Sequence, residues 1–243
     1  MTTFDVITIF PRLFDSFLKE SLIARAQKKR LIKIRVHNLR KWAKDRHKTL
    51  AEAPPHLAPR AASRLSVVDD RPYGGGFGMV LKVEPIFKAV KELSSLKGRR
   101  KTKIILFTPR GKKFNQKLDF QLSKSKQIIL ICGRYEGVDE RVAKHVADIE
   151  LSMGDYDLMG GELPAMTAIE AVSRLIPGVI AKIRLLRERI TKEKGFIEYP
   201  QYTRPEVFKP KKGVRWRVPK VLISGHHKKI EEWRKKHGKA IEK

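Results

Sequence analysis

The sequence predicts an α/β fold with a mostly parallel sheet. Two nearly continuous apolar runs, Lys103–Phe107 (KIILF) and Gln127–Cys132 (QIILIC), suit strands covered on both faces. Helical periodicity falls between and after them, and strands alternating with helices are the pattern of this class. Glycine-bearing loops stand where the strands end, which is where open α/β sheets bind ligands.

Taken in order, Phe4–Phe10 (FDVITIF) is short, β-branched and aromatic and reads as a buried strand closed by Pro11. Leu13–Ala26 carries Phe14, Phe17, Leu18, Leu22 and Ile23 as a helical stripe, and Leu31–Val36 alternates like a strand. Residues 50–66, rich in Ala and Pro, have neither period and read as an inserted surface loop. Further helices are expected near Val83–Leu93, Phe114–Ser123 and Asp139–Val146. Glu162–Ile176 is the clearest, with Leu163, Met166, Ile169, Val172 and Ile176 spaced by three or four, and Pro177-Gly178 ends it. From Val179 to Lys194 the pattern gives way to charge, as in a linker. The remainder reads as a small basic domain with a helix at His226–Lys236, capped by Ser224. The boundaries drawn are 1–178, 179–197 and 198–243.

With 54 Lys plus Arg against 26 Asp plus Glu, the chain carries a formal +28. Such a charge predicts a polyanionic partner, nucleic acid by default, because neutralised phosphates release counterions. From Gln201 onward there are 14 Lys or Arg and 4 Glu, with Trp216 and Trp233 among them. No apolar run approaches the roughly 18 residues of a spanning helix, the start lacks the pattern of a secretory signal, and neither lipidation nor an amphipathic membrane anchor is evident. A single Cys excludes an internal disulfide and a thiolate metal cluster, in keeping with a reducing, cytoplasmic compartment.

Asp69–Met79 (DDRPYGGGFGM) lacks the third glycine of a dinucleotide fingerprint, and no nucleotide-triphosphate loop or serine-hydrolase elbow is present. Four glycines in five residues imply either positive φ or a close backbone approach; a tight structural turn is an equal reading. His226 and His227 are adjacent, so they do not form a zinc-protease pair, and no metal site is expected. The informative loops are 107–111 (FTPRG), 132–137 (CGRYEG) and 152–164 (SMGDYDLMGGELP). Together they could present backbone groups to a flat, polar cofactor beside a basic RNA-binding surface. Glu170 and Arg174, four apart with the acid first, also fit an ordinary helix-surface pair.

The motifs DDRPYGGGFGM, FTPRGKKFNQ, ICGRYEGVDER, GDYDLMGGELPAM, EYPQYTRPEV and VPKVLISGHHKKIEEWR occur in this order over nearly the whole chain. In combination they closely resemble the bacterial tRNA (guanine-N1-)-methyltransferase family. The resemblance implies a SPOUT-type domain with a deep C-terminal trefoil knot and a small α-helical C-terminal domain. It also implies a homodimer, S-adenosylmethionine as methyl donor, Mg2+ dependence, and tRNA with guanine at position 37 as partner rather than DNA or a membrane. It assigns Thr108, Pro109, Gly133, Tyr135, Met153, Gly154, Asp155, Tyr156, Asp157 and Leu158 to the cofactor. Arg174 is assigned to the target guanine, and Glu136 to the neighbourhood of the methyl donor. The family's linker aspartate, its general base, falls near Arg189 or Ile190, where this chain has no acid; Glu188 is the nearest carboxylate. Asp157 replaces a small apolar residue and must be exposed, paired or protonated. Three rival readings are a related knotted methyltransferase acting on another RNA atom, a basic RNA-binding protein without catalysis, and a plain ribosomal-type protein, which the three strand-end loops disfavour.

Overall fold

In the computed structural model, residues 1–43, 68–75, 77–95, 102–180 and 196–241 are described. The expectations for residues 50–66, for Glu188 and for most of the 179–197 linker lie outside them. The chain divides into two compact units, Met1–Ile183 and Arg184–Lys243.

The first unit is built on a five-stranded, wholly parallel sheet of order β2-β1-β6-β5-β7. Its strands are β1 (Thr2–Thr8), β2 (Ile32–Asn38), β5 (Thr102–Lys113), β6 (Gln127–Ile131) and β7 (Ile149–Ser152). A short antiparallel pair, β3 (Asp69–Asp70) and β4 (Val80–Leu81), lies outside that sheet. The apolar runs are continuous because both faces are covered. Phe4, Ile105, Phe107, Ile128 and Leu130 enter one core with Phe14, Leu118 and Ile169. Ile7, Ile104, Leu106, Ile129 and Ile131 enter the other with Ile86, Val90 and Val142. The covering helices are α1 (Asp15–Lys19), α2 (Ser21–Lys28), α3 (Val83–Ser95), α4 (Gln116–Leu122), α5 (Glu140–His145) and α6 (Glu162–Leu175). Asn115 and Asp139 cap α4 and α5, each accepting a bond from a backbone N–H of the first turn.

Three expectations are corrected. The helix read over 13–26 is a 3-10 turn (Pro11–Phe14) followed by α1 and α2, broken where Glu20 is extended and Ser21 takes φ 52°. The apolar stripe survives the break, so periodicity alone could not reveal it. β5 does not end at Phe107: Thr108–Gly111 bulges out and the strand pairs again, so that Leu151 lies opposite both Phe107 and Lys112. Gly111 permits this, since a Cβ there would sit 2.5 Å from the backbone N of Leu151. Ser224 does not cap the last helix; its Oγ donates to the Val221 carbonyl at 2.8 Å and accepts from the His226 N–H at 3.2 Å.

A buried polar knot ties three strands. Asp5, fully buried on β1, accepts two bonds from Arg35 (2.6 and 2.8 Å) and one from Gln127 (2.7 Å), and His37 Nε2 lies 2.8 Å away. Burial alone would raise the Asp5 pKa, but hydrogen bonds with His37, Arg35 and Gln127 outweigh it and hold the carboxyl at about 2.

In the second unit, β8 (Phe196–Glu198) pairs antiparallel with β11 (Lys239–Ile241), and β9 (Val207–Phe208) with β10 (Trp216–Arg217). Helices α7 (Lys220–Ile223) and α8 (His227–His237) accompany these two small sheets, so the unit is not purely helical. Trp233 stacks on His237 at 4.3 Å and meets Tyr202 edge-on.

Candidate active site

The bulge of β5 and the loops leaving β6 and β7 enclose a cleft of 440 Å³ at the carboxyl edge of the sheet, within the roughly 300–1,000 Å³ of small-molecule sites. Thr108, Pro109, Gly133, Tyr135, Glu136, Met153, Tyr156, Asp157 and Leu158 all line it. Eight of the ten residues assigned to the cofactor are therefore on one wall or another. Gly154 and Asp155 do not line it; they shape the β7 turn. Ser152 Oγ donates to the Gly154 carbonyl at 2.9 Å, Asp155 pairs with Lys113, and a Cβ on Gly154 would meet the Tyr156 ring at 2.4 Å. Asp157 resolves its burial problem by being exposed, its carboxylate accepting the Leu158 N–H at 2.8 Å.

The 132–137 loop is braced from outside. Glu136 N–H donates to the Met79 carbonyl at 3.1 Å, and Leu81 N–H to the Gly137 carbonyl at 3.0 Å. Gly78 combines φ 91° with a close approach: a Cβ there would lie 2.6 Å from Glu136 Cγ. Gly78, the last glycine of the glycine-rich run, is thus the support against which the Glu136 side chain rests. Tyr135 adopts φ 60°, rare for an aromatic residue, and is half-exposed at the cleft. Strain of this kind collects at ligand clamps.

An unanticipated ion pair fixes the floor. Glu162, 1% exposed at the start of α6, accepts from Arg134 Nε at 2.9 Å and from Thr8 Oγ1 at 2.6 Å. Arg134 also donates to the Met159 carbonyl at 3.3 Å and lies 4.8 Å over the Phe10 ring. Gly161 N–H donates to the Gly133 carbonyl at 3.0 Å, and a Cβ on Gly161 would stand 2.7 Å from Cys132 Cα. The signal was an acid at the first helical position directly after two glycines; its partners, far away in sequence, left none. Burial, and then the Glu162 charge, push the Cys132 thiol well above its ordinary value, so it is packing material and not a nucleophile.

Arg174 does not line this cleft. It borders a second cavity of 370 Å³ with Ser16, Phe17, Glu20, Glu170 and Ser173. Among the described residues no group of three or more His, Cys, Asp or Glu could hold a metal ion, and no helix is long and apolar enough to cross a membrane.

A parallel α/β sheet with three carboxyl-end loops closed on one polar cleft, joined to a basic unit with exposed aromatics, defines an enzyme-like nucleic-acid-associated protein. The family model described as tRNA (Guanine-1)-methyltransferase TrmD matches residues 2–55 and 58–242. The chain belongs to this family. A tRNA (guanine-N(1)-)-methyltransferase of Dictyoglomus turgidum is 46% identical over 236 residues, 97% of this chain and 84% of that protein. Its namesake in Ruminiclostridium cellulolyticum is 44% identical, over 95% and 88%. The crystal structure of tRNA (m1G37) methyltransferase from Aquifex aeolicus superposes with a TM-score of 0.71 at 39% identity, covering 97% of this chain and 88% of that one.

Proposed function

We propose that the chain transfers the methyl group of S-adenosylmethionine to N1 of guanine 37 in tRNA. The observation that carries this reading is the convergence of the 107–111, 132–137 and 152–161 loops on one cleft, in a chain of this family. Thr108, Pro109, Gly133, Tyr135, Met153, Tyr156, Asp157 and Leu158 would hold the donor, with Gly154 and Asp155 setting the turn that presents them. The donor's sulfonium supplies a methyl group that is already activated, so the protein's task is alignment. Guanine N1 carries a proton, and its removal puts negative charge on O6, which the Arg174 guanidinium stabilises. Glu188, the acid nearest the family's aspartate position, is the base in this scheme; unchanged turnover of Glu188→Gln would remove it. Glu136, held against Gly78, sits at the donor's edge of the cleft.

The reading includes residues 1–178 as the methyltransferase domain with its trefoil knot, 179–197 as linker and 198–243 as a tRNA-binding domain. It also includes a homodimer. Leu163 and Met159 beside the cleft are 62% and 88% exposed, an apolar surface that a second copy would cover. Arg174 and the cleft lie apart within one chain, as they would where each site draws on both copies. No step is routed through a metal, since among the described residues no group of three or more His, Cys, Asp or Glu could hold one. Mg2+ dependence is proposed only through ions carried on the RNA phosphates. A tRNA substrate implies a cytoplasmic protein.

The test is transfer of labelled methyl from S-adenosylmethionine to tRNA with Mg2+ present, comparing the natural transcript with one bearing adenine at position 37. Label on the first alone is the expected result. Label on neither, with tRNA still bound, would favour an RNA-binding protein without catalysis, the reading to which the missing acid at Arg189 and Ile190 points.

A further inference from the structure

We propose that the β9–β10 hairpin is an RNA-gripping element in its own right, holding phosphates with its lysines and arginines and stacking one base on Trp216. It rests on the tRNA reading above and names the residues within the second unit that would carry the contact.

The hairpin is small and specific. Trp216 pairs with Phe208 and Arg217 with Val207, and Val218 N–H donates to the Glu206 carbonyl at 2.9 Å. The turn between them closes with Val214 N–H on the Lys211 carbonyl at 3.1 Å, Gly213 supplying φ 85°. Strands of two residues have little stability of their own. The contact of the Phe208 and Trp216 rings, 5.6 Å between centroids and tilted 44°, is what clips them together.

That clip is left in water. Phe208 is 51% and Trp216 63% exposed, although each could contribute more stability buried. The same hairpin carries Lys209, Lys211, Lys212, Arg215 and Arg217, all exposed, with Glu206 the single acid from 206 to 218. None of the five cations has an ion-pair partner among the described residues. Five like charges on one short hairpin repel each other, a repulsion that salt screens and a bound polyanion would relieve further. An acidic protein would answer the charge but not the exposed indole. Nucleic acid answers both, because every base has a π-face and every nucleotide a phosphate. A stacked base is read without hydrogen bonds, so the element adds affinity to any exposed strand and leaves the choice of base to the cleft.

The experiment measures binding of the full chain to tRNA over a KCl series, comparing wild type with the double variant Lys211→Ala/Lys212→Ala, with Trp216→Leu and with Trp216→Phe. Two lost phosphate contacts lower the slope of log K against log salt by about 1.5. Trp216→Leu weakens binding about tenfold with the slope unchanged, and Trp216→Phe recovers most of that loss. The turn lysines have no packing role, so the double variant remains informative if Trp216→Leu loosens the hairpin. Wild-type affinity and slope in the lysine variant overturn the proposal. So does a Leu variant that binds as well as the Phe variant, since that would mean bulk apolar contact or simple screening. If wild type binds but transfers no methyl, the catalytic reading fails while this one is still decided by the slopes.

Discussion

Asp119 should make this protein less stable as pH rises through neutrality, and replacing it with Asn should abolish that loss. The residue sits on α4, which packs against α6. It is buried; Oδ2 accepts from Gln116 Nε2 at 3.0 Å, while Oδ1 is buried without a hydrogen-bond partner. Burial raises its pKa from 3.8 to about 7, against the smaller pull of the Gln116 bond and the Arg174 charge. Between those values the native state keeps a proton that the unfolded chain has released. The stabilisation is therefore full below about 3.8 and lost as pH passes about 7. The gap is roughly three units at about 1.36 kcal/mol each, or about 4 kcal/mol in total. Asn resembles the neutral acid at every pH. Urea unfolding followed by circular dichroism should find the two proteins nearly equal at about pH 4, and Asp119→Asn the more stable by up to about 4 kcal/mol at about pH 8. Stability curves that run parallel across this window would refute the argument, because they would mean that the carboxyl is ionised at low pH in the folded protein too.

Arg35→Leu removes the two-bond partner of buried Asp5 and should cost about 3 kcal/mol, read as a lower melting temperature. The same carboxyl contributes stability above about pH 3.8 that fades as pH falls through about 2, so the variant should show a weaker acid limb. Gly161→Ala places a methyl 2.7 Å from Cys132 Cα; a loss of about 1–3 kcal/mol together with weaker S-adenosylmethionine binding in calorimetry is expected. Arg174→Ala should lower kcat by about 10²-fold or more and leave donor affinity unchanged, because Arg174 is not on the cleft wall. A matching fall in donor affinity would place it there after all.

The inner strands were legible because a sheet covered on both faces demands unbroken apolar runs, as at Ile104–Phe107 and Gln127–Ile131. What escaped was conformational or distant. The left-handed turn at Ser21 carries no side-chain signature, and the two-residue strands at 207–208 and 216–217 are too short for any period. At the site, glycine spacing announced the three loops, since glycine marks where backbones must touch, as Gly161 touches Cys132. The Thr8–Glu162–Arg134 group could not be read. Each member looks like an ordinary surface residue until the fold brings the three together.

That group also fixes when the cleft can exist. Its ends, Thr8 and Glu162, are separated by 154 positions, and contacts that distant are closed late because the chain entropy must be spent before they stabilise anything. The strand bearing Thr8 is made early in synthesis, yet the acid that secures it leaves the ribosome only after the whole sheet has been translated. The growing chain therefore has no finished pocket to offer for most of its synthesis. Ligand can reward the completed fold but has nothing to grip while that fold is being assembled.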